Sequence, residues 1–105
     1  MRRVMIRYRL KPEHVERNEE LVRAVYEELH RAAPSGLHYM TFKLDDGVSL
    51  MHISESDGEE SPLAGLASAQ EFQREIADRC EEQPVFAELT EIGSYRSGAD
   101  RALGR

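Results

Sequence analysis

The stretch HYMTFKLDDGVSLMH, residues 38–52, constrains the fold of this chain more than any other segment. Apolar and polar residues alternate on both sides of Asp45-Asp46-Gly47, which is typical of two antiparallel strands joined by a tight turn. The turn could be a two-residue loop, Asp46-Gly47, or a three-residue loop that includes Asp45 and has the glycine in the left-handed conformation. The segment therefore predicts a β-hairpin whose loop length decides which side chains share a face.

The side-chain pattern favours the three-residue loop. It builds one continuous apolar face from the cross-strand pairs Leu44–Val48, Phe42–Leu50 and Met40–His52. The two-residue loop would instead place Lys43 opposite Leu50 and Asp45 opposite Val48. Because a slip of one residue reverses the faces, the sequence predicts the first register. In that register Gly47 has positive φ, and His38 and His52 both lie on the apolar face.

A strand and a helix are predicted before the hairpin. Residues 4–10 alternate strictly between apolar and polar side chains, as a strand with one buried face does. Pro12 suits the first position of a helix, where a missing N–H costs nothing. Apolar residues then recur at helical spacing until Ala-Pro-Ser-Gly at residues 33–36, which predicts the end of the helix.

A second helix and a last strand are predicted after the hairpin. Ser68 and Glu71 have the spacing of a capping box, with Ser68 as the cap. The helix is expected to bury Phe72, Ile76 and Cys80 and to end near Gln83-Pro84, followed by a strand over residues 85–96. Residues 97–105 have no periodic apolar pattern, and we expect a mobile tail.

This β-α-β-β-α-β order predicts an α+β fold of the ferredoxin-like split βαββαβ type. Residues 1–96 are expected to form one domain, an antiparallel sheet with two helices on one face. The helix-covered face is predicted to carry Val4, Ile6, Tyr8, Met40, Phe42, Leu44, Val48 and Leu50. The open face is predicted to carry Met5, Leu37, Tyr39, Met51 and Ile53 among Arg7, Arg9, Thr41, Lys43 and Ser49. Such a mixed face indicates a homodimer, with two sheets packed into a dimeric α/β barrel.

Composition argues against several partners and compartments. A formal net charge of −6 argues against nucleic acid as a partner, because a nucleic-acid binder needs a basic surface. No apolar run approaches the roughly 20 residues of a membrane span, and the first residues lack the apolar stretch of a signal peptide. The single cysteine, Cys80, cannot form an internal disulfide, which fits the cytoplasm.

Three stretches resemble a known group of proteins: GLHYMTFKLDDGVSLMHIS, FQREIADRC and EIGSYR. They are similar to an uncharacterised bacterial branch of the antibiotic-biosynthesis-monooxygenase-like proteins, within the dimeric α/β-barrel superfamily. The resemblance covers about residues 4–96. It implies an activity without a cofactor, as in the quinol monooxygenases of this superfamily, and a small aromatic ligand between sheet and helices. The superfamily also includes heme-degrading enzymes and proteins without known activity.

Two histidines are the candidate catalytic residues. His52 and His38 are expected to point into the apolar layer, where an imidazole can take a proton near neutral pH. The alternative is that both only form local hydrogen bonds at the edge of the core. Side chains expected to contact the substrate are Tyr8, Met40, Asn18 and Phe72. Asn18 is a polar residue on an apolar stripe and could point to the ligand or to water. Two histidines without a third ligand predict no metal site.

Three hypotheses follow for the function. The chain could be a cofactor-independent monooxygenase-like enzyme acting on a small aromatic or quinone-like compound. It could be a dimer that binds such a compound without catalysis, or a structural dimer with a filled core. A cavity of roughly 300 Å³ or more that reaches both histidines would favour the first two hypotheses.

Overall fold

The computed structural model describes residues 1–58 and 60–97, which form a four-stranded antiparallel sheet with helices on one face. The elements are β1 (Arg2–Leu10), α1 (Val15–Ala32), β2 (Leu37–Lys43), β3 (Ser49–Ser56), α2 (Ala67–Arg74), α3 (Ile76–Arg79) and β4 (Cys80–Glu88). Single 3-10 turns, Pro12–His14 and Pro62–Gly65, precede α1 and α2. The strand order is β2-β3-β1-β4. This architecture confirms the predicted ferredoxin-like α+β fold.

The core lies between the sheet and the helices, as strand alternation requires. Alternate residues of β1 and β3 point toward the helices, and among them Tyr8, Leu10 and Leu50 are buried. The helices close over these residues with apolar positions at helical spacing, namely Leu21, Val25, Phe72 and Ile76. α1 ends as predicted at the Ala-Pro-Ser-Gly stretch, where Ala33 adopts the left-handed conformation.

The predicted hairpin register is wrong by one residue, and Lys43 lies opposite Leu50, as in the register that the sequence analysis rejected. Phe42 lies opposite Met51, and the backbone N–H of Leu44 donates to Ser49 O at 2.8 Å, so the loop has four residues. The carboxylate of Asp46 explains the extra residue. It accepts hydrogen bonds from the backbone N–H groups of Val48 (2.9 Å) and Ser49 (2.8 Å), and so satisfies groups that a shorter loop would pair across the strands. Gly47 has φ +78°, which confirms its predicted left-handed conformation.

The corrected register reverses the predicted faces of β2 but leaves those of β1 and β3 intact. Across the helix-covered side, Ile6, His52 and Thr41 are neighbours on three adjacent strands. The side chains of Leu37, Tyr39, Thr41 and Lys43 therefore belong to the helix-covered face, and those of His38, Met40 and Phe42 to the open face. Met5, Met51 and Ile53 lie on the open face as predicted, whereas the placement of Leu37 and Tyr39 there was wrong.

The second helical segment also differs from its prediction. Ser68 does not cap α2; its N–H and hydroxyl both donate to the carboxylate of Glu28 on α1, at 2.9 and 2.6 Å. A carboxylate is well placed at a helix N-terminus, where it accepts unpaired N–H groups. These hydrogen bonds hold the pKa of Glu28 below its usual range.

The last strand both begins and ends earlier in the sequence than predicted. The helical segment stops at Arg79, and β4 runs from Cys80 to Glu88. Pro84 lies inside this strand, where its missing N–H is tolerated because β4 is an edge strand with an irregular register against β1.

The predicted tail, apart from Ser97, lies outside the described residues. In the described parts of the chain, no helix is both long and apolar enough to span a membrane.

Glycine at position 47 should stabilise the hairpin through its backbone conformation. A β-carbon there would meet no atom within 4 Å, so Gly47→Ala tests the positive φ alone. We expect it to lower the free energy of unfolding by about 1–2 kcal/mol. Gly65→Ala is the matched control, since Gly65 is also unobstructed but needs no positive φ. Urea denaturation of both variants is the measurement, and equal stability would contradict the four-residue turn.

Candidate functional site

A cavity of about 250 Å³ lies between the helix-covered face of the sheet and the helices. Its wall is mainly apolar, with Ile6 on β1, Val25 on α1, Leu63 before α2 and Phe72 on α2. Tyr39 and His52 add polar groups to this wall, which also includes Arg2, Ser54, Ser61 and Gln73. An apolar cavity with a few convergent polar groups is the usual form of a small-molecule site.

His52 lies on β3, one of the two central strands, and is only 2% exposed. Both nitrogens of its ring have partners. Nε2 lies 2.7 Å from the hydroxyl oxygen of Tyr8 on β1. Nδ1 lies 2.6 Å from the hydroxyl oxygen of Tyr39 and 3.1 Å from that of Thr41, both on β2. Three neighbouring strands therefore hold the imidazole in one orientation.

Burial keeps this histidine uncharged. Desolvation lowers the pKa of His52 from its ordinary value of 6.5 to about 4, because the imidazolium ion would lose its hydration. Desolvation also raises the pKa of Tyr8 and of Tyr39 far above that of a free phenol, so both keep their protons. At neutral pH the site therefore contains a neutral imidazole between two neutral phenols.

Behind Tyr8 the network continues into the core and ends at a buried cation. The side-chain N–H of Asn18, a fully buried residue of α1, donates to the Tyr8 oxygen at 3.0 Å. Arg79, at the end of α3 and 6% exposed, donates from Nε to Asn18 Oδ1 at 3.0 Å. It also donates to the backbone oxygen of Phe72 at 2.7 Å, with its guanidinium carbon 5.1 Å from the centre of that ring. Among the described residues, no buried side-chain nitrogen or oxygen is left without a partner.

Four of the residues predicted for the site are brought together, and two are not. His52, Tyr8, Asn18 and Phe72 form one contiguous cluster, with the ring centres of His52 and Phe72 5.3 Å apart. His38 and Met40 lie on the opposite face of the sheet because the hairpin register differs from the predicted one. His38 is exposed there, 3.3 Å from a Glu55 oxygen.

Sequence reasoning missed Arg79, Tyr39 and Thr41 as members of the site. Tyr39 and Thr41 were assigned to the open face with the rest of β2. A signal for Arg79 was present, because it lies three residues after Ile76 and seven after Phe72, on the buried face of the helical segment. A cation at that position requires a buried partner.

The remaining reactive groups offer no alternative centre. Cys80 is buried, and desolvation raises the pKa of its thiol, which disfavours the nucleophilic thiolate. In the part of the chain that the structure describes, no three histidine, cysteine, aspartate or glutamate residues are grouped to hold a metal ion.

Known structures share this architecture. A structure named as an antibiotic biosynthesis monooxygenase is similar with a TM-score of 0.74 and 17% identity, covering 89% of this chain and 100% of the other. A Mycobacterium tuberculosis protein is similar with a TM-score of 0.72 and 14% identity, covering 90% of this chain and 98% of the other. A Nitrosomonas europaea protein of unknown function is similar with a TM-score of 0.69 and 13% identity, covering 92% of this chain and 94% of the other.

No protein-family profile matches the chain, and no curated protein matches it. The similarity to solved structures is therefore one of fold, and it agrees with the resemblance of the three sequence stretches. This chain has the fold of the antibiotic-biosynthesis-monooxygenase-like proteins.

Proposed function

We propose that this chain binds a small aromatic or quinone-like compound in the cavity beside His52, as a cofactor-independent monooxygenase-like enzyme. One observation supports this above the others: a buried, uncharged imidazole lies between two phenols at the wall of an apolar cavity. A filled structural core would not need a cavity at this position, and packing usually removes such voids.

The size of the cavity limits the ligand. Its volume of about 250 Å³ is somewhat below the 300 Å³ that we set as the threshold, and it reaches His52 but not His38. An apolar cavity of roughly 150 Å³ can hold benzene. A substituted single ring therefore fits the available space, with its faces against Phe72 and Leu63 and an oxygen substituent toward Tyr39.

The proposed reaction needs electrons only from the substrate. A quinol that reacts with O₂ can lose two hydrogen atoms and gain one oxygen atom, while the second oxygen atom leaves as water. The protein would supply exclusion of water and groups that stabilise the substrate anion, which reacts with oxygen more readily than the neutral quinol. Tyr39, which His52 holds at the cavity wall, is placed for this role.

A second candidate function has its own support. Both ring nitrogens of His52 already hydrogen-bond to protein groups, so neither is free to take a proton from a ligand. This geometry also fits a binding module without catalysis. The two functions share the cavity and differ only in turnover.

Binding and oxygen uptake together distinguish these functions. We expect benzene-1,4-diol to bind, and Ala64→Phe to weaken its binding by about tenfold or more because the new ring occupies the cavity. Ala77→Phe, at an exposed position outside the cavity, is the matched control. Calorimetry measures binding, and mass spectrometry after incubation with isotopically labelled oxygen detects a labelled hydroxyquinone.

Binding with label in the product supports the enzyme, and binding without it supports the binding module. If the wild-type protein does not bind the diol, or if Ala64→Phe binds it as tightly as the wild type, the proposed site is wrong.

We further propose a homodimer formed through the open face of the sheet. Two rows of side chains cross all four strands on this face. They are Met40–Ile53–Met5–Ala87 and Phe42–Met51–Arg7–Val85. Monomeric proteins rarely expose contiguous apolar patches above a few hundred Å², which supports a second copy of the chain as the partner.

The dimer can be tested at the centre of this face. Met51→Asp should shift the protein to monomers at micromolar concentration, because a carboxylate buried in the interface would have no partner. Ala77→Asp adds the same charge at an exposed position of α3 and should remain dimeric. Sedimentation velocity is the measurement. A monomeric wild type would reject the proposal, as would a Met51→Asp variant that stays dimeric.

A further inference from the structure

We propose that Arg79 is a positioning residue that fixes the direction of every hydrogen bond between the core and the cavity. As a result, Tyr39 presents a hydroxyl proton to the ligand. The cavity would then select compounds with a phenolate or carbonyl oxygen at this point. The inference rests on the proposed function only in requiring that a ligand occupies the cavity.

The direction begins at Arg79 because a guanidinium group can only donate hydrogen bonds. Its Nε donates to the side chain of Asn18 at 3.0 Å, so the atom of Asn18 that faces Arg79 must be the oxygen. The amide group of Asn18 is therefore fixed, with its nitrogen toward Tyr8 at 3.0 Å. A flipped amide would place two donors in contact at Arg79.

The next two hydrogen bonds follow from this orientation. The oxygen of Tyr8 accepts from Asn18, and Tyr8 is 3% exposed. Its own proton must therefore go to its other partner, His52 Nε2, at 2.7 Å. A neutral imidazole carries one proton, so Nε2 is the acceptor and Nδ1 carries the proton. This tautomer follows from the contact between Asn18 and Arg79, two steps away.

The last hydrogen bond reaches the cavity wall. Nδ1–H of His52 donates to the oxygen of Tyr39 at 2.6 Å, which leaves the Tyr39 proton to be donated. Thr41 can accept it, but Thr41 also has Tyr26 as a partner at 2.8 Å. Tyr39 can therefore turn its O–H toward a ligand. A ligand atom that takes this proton must be an acceptor.

The alignment also favours negative charge on that acceptor. Hydrogen bonds that follow one another in the same direction polarise each other. This series of hydrogen bonds begins at Arg79, a buried cation that has no carboxylate within ion-pair distance among the described residues. The charges that act on Arg79 through space include Arg17 and Glu75 on neighbouring segments, and Arg2 adds a positive charge at the cavity wall. A phenol bound at Tyr39 would therefore ionise more readily than in water, releasing its proton to the solvent.

Asn18→Asp tests the direction with little change in shape. The new carboxylate can accept from Arg79 but cannot donate to Tyr8, so Tyr8 should donate to it instead. His52 must then donate from Nε2 to Tyr8 and accept from Tyr39 at Nδ1. Nitrogen-15 NMR distinguishes the two tautomers without any ligand. We expect the proton on Nδ1 in the wild type and on Nε2 in Asn18→Asp.

Binding of 4-nitrophenol tests the consequence, because only its ionised form absorbs visible light strongly. The wild type should bind the phenolate about tenfold more tightly than the phenol, and Asn18→Asp should lose this preference. Gln83→Glu is the matched control, since it makes the same amide-to-acid change at an exposed position of β4 outside the cavity and the network. This control should keep the wild-type tautomer of His52. It should also keep the wild-type preference for the phenolate, which Asn18→Asp should lose.

Two results would overturn the inference: a wild-type His52 protonated on Nε2, or an unchanged tautomer in Asn18→Asp. Equal binding of phenol and phenolate by the wild type would overturn the selection of anions. If the wild type does not bind the probe at all, the proposed ligand site fails as well. The tautomer measurement then still decides whether Arg79 sets the hydrogen-bond direction.

Discussion

The hydrogen bonds of His52 with Tyr8 and Tyr39 are the interaction on which the rest of the structure depends. They join β1, β3 and β2, so they require the observed register of both strand pairs. A slip of β2 by one residue would remove Tyr39 and Thr41 from the imidazole and leave a buried nitrogen without a partner, which is costly in a core. The site and the sheet register therefore stabilise each other.

These polar groups lie where an apolar core would be simpler. Replacing them with apolar side chains of the same shape need not reduce stability. Their presence beside a cavity, with a buried cation at the far end, supports the proposed ligand site. The uncharged imidazole suits this purpose because it transmits a hydrogen bond without the desolvation cost of a second buried charge.

Sequence periodicity predicted the element order, the ferredoxin-like fold and the faces of β1 and β3, because one side of these strands packs against helices. It brought Tyr8, Asn18 and Phe72 to the same layer as His52. The hairpin register could not be predicted from alternation, since the carboxylate of Asp46 binds the N–H groups of Val48 and Ser49 and lengthens the turn. Arg79 was missed because a charged residue near a helix end usually lies in water.

The site depends on an uncharged His52 in the folded protein. An unfolded chain binds a proton at His52 below about pH 6.5, whereas the folded protein binds it only below about pH 4. Stability should therefore fall as the pH drops through this window, by about 3 kcal/mol from this group. An NMR titration of the His52 ring in the folded wild type measures this directly. The structure predicts no titration from about pH 8 to about pH 5 and a midpoint near 4, and a midpoint near 6.5 would contradict it.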